Sequence, residues 1–125
     1  MTKKDRAKEL VRLAVLESQD YKCANCRKKH GTLGDSIEVH HIGGRNNSTN
    51  FTPLAQIGLC DECHRGKEEA PHVSVTQFLQ WLQEKYPIKY RYYQENKNKI
   101  VNNRDINFDE IIESMEAQLN VNVVV

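Results

Sequence analysis

Residues 57–66 read IGLCDECHRG, and the fold turns on how that run divides. Its first three residues continue a short β-like piece, and the stretch that opens at Cys60 reads as a helix start. Cys60 and Cys63 therefore form a C-x-x-C pair at a strand-to-helix junction. A second pair, Cys23 and Cys26, lies upstream in the turn-like YKCANC, with 33 residues between the two. Each pair is a chelating knuckle, and two knuckles supply the four thiolates of a closed tetrahedral zinc site. One knuckle on a loop and one at a helix start is the treble-clef arrangement. The matched spacing favours zinc over two redox or merely buried cysteine pairs. Such a structural zinc adds folding energy to the one modest core that 125 residues can bury. CDECH also matches the c-type haem attachment pattern, but that reading needs an export signal and leaves the other pair unexplained.

The rest of the chain sets the context. The start, MTKKDRAKEL, is charged and has no apolar core of a signal peptide, and no apolar run is long enough to span a bilayer. A cytoplasmic location without membrane partners is expected, with reduced thiols that bind metal more readily than they pair. The net charge of +1 is unevenly spread. Residues 1–67 carry twelve Lys/Arg against eight Asp/Glu, and residues 68–125 six against nine, which suits the front half to a polyanion. Ala7, Leu10, Val11 and Ala14 recur at helical spacing and predict an amphipathic helix over 5–18. A zinc and histidine core follows over 21–66, with β-like pieces SIEVHHI and AQIGLC on either side of the polar loop GGRNNSTNFTP. Helices over 74–97 form a tail, broken at Pro87, and Ser74 with Gln77 makes a capping box for the first of them. The polar run NKNKIVNNRD then marks residues 99–125 as a linker and a last helix outside a unit of residues 1–98.

Between the knuckles, IEVHHIGG (37–44) places His40 and His41 on a strand, where neighbouring side chains face opposite ways. His64 follows Cys63 directly, about 100° around the helix from a zinc-facing position. Pairing of the two β pieces would bring the histidine pair near His64 and form an open metal site, the kind that does chemistry.

C-x-x-C, then VHHI, then LCDECH resembles the HNH endonucleases, whose ββα-metal (His-Me finger) motif is often mounted on a zinc treble clef. The match covers roughly residues 21–66, and the helical tail looks like that of small phage and bacterial HNH proteins. The resemblance implies a small, mostly helical α+β domain with a ββα-metal core, hydrolysing DNA phosphodiester bonds to 5′-phosphate and 3′-hydroxyl ends. It assigns His40 and His64 as ligands of a catalytic divalent ion (Mg²⁺, Mn²⁺ or Ni²⁺) and His41 as the general base. Phage DNA-packaging and recombination proteins are the partners that the family leaves open. A non-catalytic treble-clef module that binds nucleic acid or protein is the alternative, which the histidine cluster disfavours.

The chain departs from the family at the middle asparagine of the motif, where Ala55 stands. Asn46, Asn47 and Asn50 lie upstream in the loop, and Asn50 is favoured to orient His41. His72 reads as a solvent-facing, helix-capping histidine, although related tails often carry a histidine here that touches metal or phosphate. His30 reads as surface. Arg45, Arg65 and Lys67, with the run Arg27–Lys29, are candidates for neutralising phosphates around the cleft.

Overall fold

The computed structural model describes residues 1–29 and 36–119 of the chain. His30 and the β-prone VNVVV at 121–125 lie outside the described residues. The elements run α1 (Lys3–Ser18), β1 (Glu38–His41), β2 (Gln56–Leu59), α2 (Asp61–Arg65), α3 (Val75–Lys85), α4 (Pro87–Asn96) and α5 (Phe108–Leu119). Short 3₁₀ turns at Pro53–Ala55 and Asn103–Asp105 punctuate them. The class is α+β and mostly helical, with one two-stranded antiparallel sheet among the described residues. No described helix is long and apolar enough to cross a membrane.

Local chemistry explains the boundaries. Thr2 caps α1 in a full capping box with Asp5, and Ser74 Oγ accepts the Gln77 N–H (3.2 Å) to start α3. Pro87 opens α4 where its missing N–H costs nothing. Asn107 Oδ1 accepts the Glu110 N–H (3.0 Å) and starts α5. The sheet pairs Val39 with Gly58, His40 with Ile57 and His41 with Gln56. Gly43 and Gly44 turn the chain away from β1 with φ of 88° and 92°, a region that other residues enter at a cost.

The end of α1 is fastened to the sheet through one side chain. Gln19, buried just past the helix, donates from Nε2 to the carbonyls of Lys22 (2.8 Å) and Gly58 (3.0 Å). Its Oε1 accepts the Gly58 N–H (2.9 Å), so the amide imitates a neighbouring strand. A Cβ on Gly58 would meet Gln19 Nε2 and Ile37 Cγ2 at 3.0 Å, which explains the glycine. The first knuckle is then closed by the Cys23 N–H donating to Lys28 O (2.8 Å) and the Arg27 N–H to Cys23 O (3.0 Å).

Two apolar clusters result. The larger joins Leu16, Ile37, Ile42, Ile57 and Leu59 to three buried cysteines and to Phe78 and Leu82 of α3. The smaller sets Leu10, Val11 and Ala14 of α1 against Met115 of α5, with Ile111, Ile112 and Leu119 around them. This second cluster corrects the division at residue 98. α5 lies along α1, and the linker delivers it there because α1 presents apolar residues on a second face. Lys3 pairs with Asp109 (3.0 Å) at the open end of the two helices.

Candidate metal centres

The four cysteines meet although they come from two distant segments. Cys23 and Cys26 stand on the knuckle behind α1, Cys60 is the residue before α2, and Cys63 lies one turn into it. Their four Sγ atoms all lie within 4.8 Å of one another, with Cys26 and Cys60 at 3.5 Å. Four sulfurs bound tetrahedrally at ~2.3 Å would sit about 3.8 Å apart, so the set needs only small adjustments to hold an ion. Burial opposes ionisation of Cys23, yet the backbone N–H groups around Cys60, Cys26 and Asn25 carry its thiol down to about 7. Burial pushes Cys60 and Cys63 up, and the Cys23 charge adds to it. Four thiols this close cannot all ionise beside one another unless a cation sits among them. The donor set can hold a metal ion such as zinc.

Three imidazoles form a second cluster on the other side of α2. His40 Nδ1 lies 3.2 Å from His64 Nε2, and His72 Nε2 lies 3.1 Å from the same atom. Metal–nitrogen bonds of ~2.1 Å place neighbouring ligands about 3.0 Å apart in an octahedron and 3.4 Å in a tetrahedron, and the observed spacings fall between. His64 is buried, and its Nδ1 faces Glu38 Oε1 at 3.3 Å. With the proton on Nδ1 and donated to Glu38, the Nε2 lone pair is turned to the cluster. Glu38 is held ionised by Arg65, whose guanidinium donates to the same oxygen, and its carboxyl stays below the usual range. The ring of His40 stands edge-on to Phe78, with centroids 5.5 Å apart. Burial first, then the charges of His64 and His72, pushes His40 down to about 3, so it is neutral at physiological pH and free to donate a lone pair. Burial likewise lowers His64, despite the carboxylate beside it.

His72 is where the sequence reading needs correction. It is exposed, but it caps no helix, since Ser74 fills that position, and its Nε2 turns inward to His64. Its own backbone N–H donates to His64 O (3.3 Å), which folds the segment after α2 back onto the site.

His41 makes no bond to these three rings, although it lines a recess with His40, His64 and His72. It also lines a cleft of about 590 Å³ between α1 and the sheet, shared with Lys8, Arg45, Asn50 and Gln56. Its Nδ1 is buried without a hydrogen-bond partner. Burial and the positive charges of Arg45 and Lys8 push its pKa down to about 4. Of the three asparagines, Asn46 is used within the loop, where its Oδ1 accepts the Ser48 N–H (2.9 Å). Asn47 donates to Val101 O (2.9 Å) and Asn103 Oδ1 (3.0 Å). Asn50 alone of the three reaches the His41 cleft, though its side chain makes no bond to the ring.

Gln56, which follows Ala55, was not legible as a site residue. It lies directly across the sheet from His41, and Nε2 donates to Thr49 O (2.8 Å) while Oε1 is buried without a partner. Only the register of β1 against β2 reveals it. Of the cations expected at the cleft, Arg45 lines it freely, whereas Arg65 is engaged by Glu38 and by Asp61 (3.0 Å). Lys67 sits beside the cysteines, where the Cys63 and Cys26 charges raise its pKa. Comparison with known proteins gives no match: no family model, no curated protein and no solved structure is similar to this chain.

Proposed function

We propose that the chain is a metal-dependent HNH-type endonuclease that hydrolyses DNA phosphodiester bonds around a structural zinc held by Cys23, Cys26, Cys60 and Cys63. The observation that carries this reading is the convergence of His40 Nδ1 and His72 Nε2 on His64 Nε2, at 3.2 and 3.1 Å, with His41 bordering the same recess. The strand order β1–β2–α2 around these residues and the motif resemblance both support it.

His40, His64 and His72 would hold a divalent ion, which when bound would supply Lewis-acid stabilisation of the scissile phosphate and the leaving 3′ oxygen. The protein does the rest. Glu38 fixes the tautomer of His64, and Arg65 keeps Glu38 charged. Phe78 holds the His40 ring edge-on, so the ligand nitrogen needs little reorganisation. His41 is neutral at physiological pH, and its Nε2 takes the proton from the attacking water. Asn50 and Gln56 are the polar groups of the same wall that can steady the base.

The test is conversion of supercoiled plasmid with Mg²⁺, Mn²⁺, Ni²⁺ and chelator side by side, for the natural chain and His41→Ala. Cutting with at least one ion, abolished by chelator and by the substitution, is the expected result. The unpartnered Nδ1 of His41 favours a second reading, a non-catalytic zinc module. Intact plasmid with every ion would establish that reading and remove the first.

A further inference from the structure

The cleft between α1 and the sheet holds more than the base. Its carboxylates are engaged by neighbours: Glu9 Oε1 accepts from Arg12 (2.7 Å), and Glu38 accepts from Arg65 and His64. Asp5 accepts the Thr2 hydroxyl (2.8 Å). Arg12 and Arg65 are thereby neutralised in place. Lys8, from α1, and Arg45, from the turn after β1, also line the cleft, and neither makes a hydrogen bond or ion pair with a described residue. The lining carries four cations, Lys8, Arg12, Arg45 and Arg65, against the carboxylates of Asp5, Glu9 and Glu38, so one positive charge is left over for an anion. The many charged and polar side chains of the lining do not suit an apolar ligand.

Resting on the nuclease reading, we propose that Lys8 and Arg45 grip the phosphate backbone of a DNA strand laid in the groove between α1 and β1. The N-terminal helix is then part of the substrate track, a role that its sequence, an ordinary amphipathic repeat, does not announce.

The test is binding of a fluorescein-labelled DNA oligonucleotide, single-stranded and duplex, to the zinc-loaded full chain without added divalent ion, from about 50 to 200 mM salt. Lys8→Ala and Arg45→Ala should each weaken binding about three- to tenfold and reduce the slope of log affinity against log salt by about 0.7–0.9. Lys8→Arg should bind like the natural chain, and the exposed Lys85→Ala on α3 should show no change. Lys8 is solvent-facing on its helix, so its replacement leaves the fold intact. Failure of the natural chain to bind, or an unchanged slope in either alanine variant, overturns the two-sided grip. Because no hydrolysis is read, the two proposals separate. Shifted slopes in a protein that never cuts plasmid keep the groove and remove the nuclease, while cutting with unshifted slopes removes the groove alone.

Discussion

His40 and His41 share a peptide bond and border one recess, but they have different neighbours. The register sets His40 against Ile57 and His41 against Gln56, so one ring joins the imidazole cluster and the other the α1 cleft. Their alanine variants should therefore fail differently. His40→Ala and His72→Ala should weaken divalent-ion binding, with cleavage partly restored by excess ion. His41→Ala should keep ion and DNA binding while cleavage falls by about a hundredfold or more. Titrating the ion against each variant decides it, and rescue of His41→Ala by metal would reverse the roles. Glu38→Gln should cost about tenfold in ion affinity, since a neutral amide holds the His64 tautomer less firmly; isothermal titration with Mn²⁺ reads this directly. The strand alternation made the His40/His41 division legible from sequence. His72 was not, because it stands eight residues past His64 in a segment without periodicity, where only the backbone bond to His64 O brings it round. Gln56 and Lys8 were hidden for a related reason: their importance depends on which residue lies opposite, and spacing along the chain does not encode that.

Among the elements, α4 has the most telling attachment. Its half-buried Lys89 donates to the carbonyls of Pro53 (2.7 Å) and Gln56 (2.9 Å) and so fixes the start of β2 opposite His41. Tyr86 OH donates to Ala24 O (2.9 Å) and Tyr92 OH to Ser48 O (3.2 Å), which ties α4 to both the knuckle and the loop. Spacing along PIKYRYYQEN does not reveal that tyrosine hydroxyls and one lysine serve as clamps. Burial pushes Lys89 down to about 8, below the ~10.4 of an unfolded lysine. Between those values the unfolded chain binds more protons than the folded one, so the Lys89 contribution to stability rises with pH across that window. Urea midpoints of the zinc-loaded protein at about pH 7.5 and 9.5 should therefore rise relative to those of Lys89→Met, which lacks the titration. An identical pH dependence in the two proteins would show that Lys89 is not desolvated. Helix and strand positions agreed with the sequence to within a few residues because caps and breakers such as Ser74, Pro87 and Asn107 are local signals.

For the molecule as a whole, the knuckles and the α1–α5 pair are the two long-range ties. One zinc per chain is expected in protein purified without chelator, and Cys60→Ser should lose both the metal and much of the fold around β2 and α2, read by metal analysis and circular dichroism. The polar linker suggested that a chain ending near residue 98 would remain whole. The packing of Met115 on Leu10 and Val11 says otherwise. Met115→Ala should cost about 2 kcal/mol or more, and removal of α5 should leave the shortened protein prone to aggregation. A truncated chain that melts like the natural one would restore the earlier division. The same pairing also has a consequence in time. During synthesis, Leu10 and Val11 leave the ribosome long before Met115 is made, a wait of about 5–20 s at ordinary elongation rates. Both cysteine knuckles and all three clustered histidines are complete well within that wait. The segment that carries the cysteines and histidines can thus set first, while the helix that walls the His41 cleft waits for translation to reach its partner.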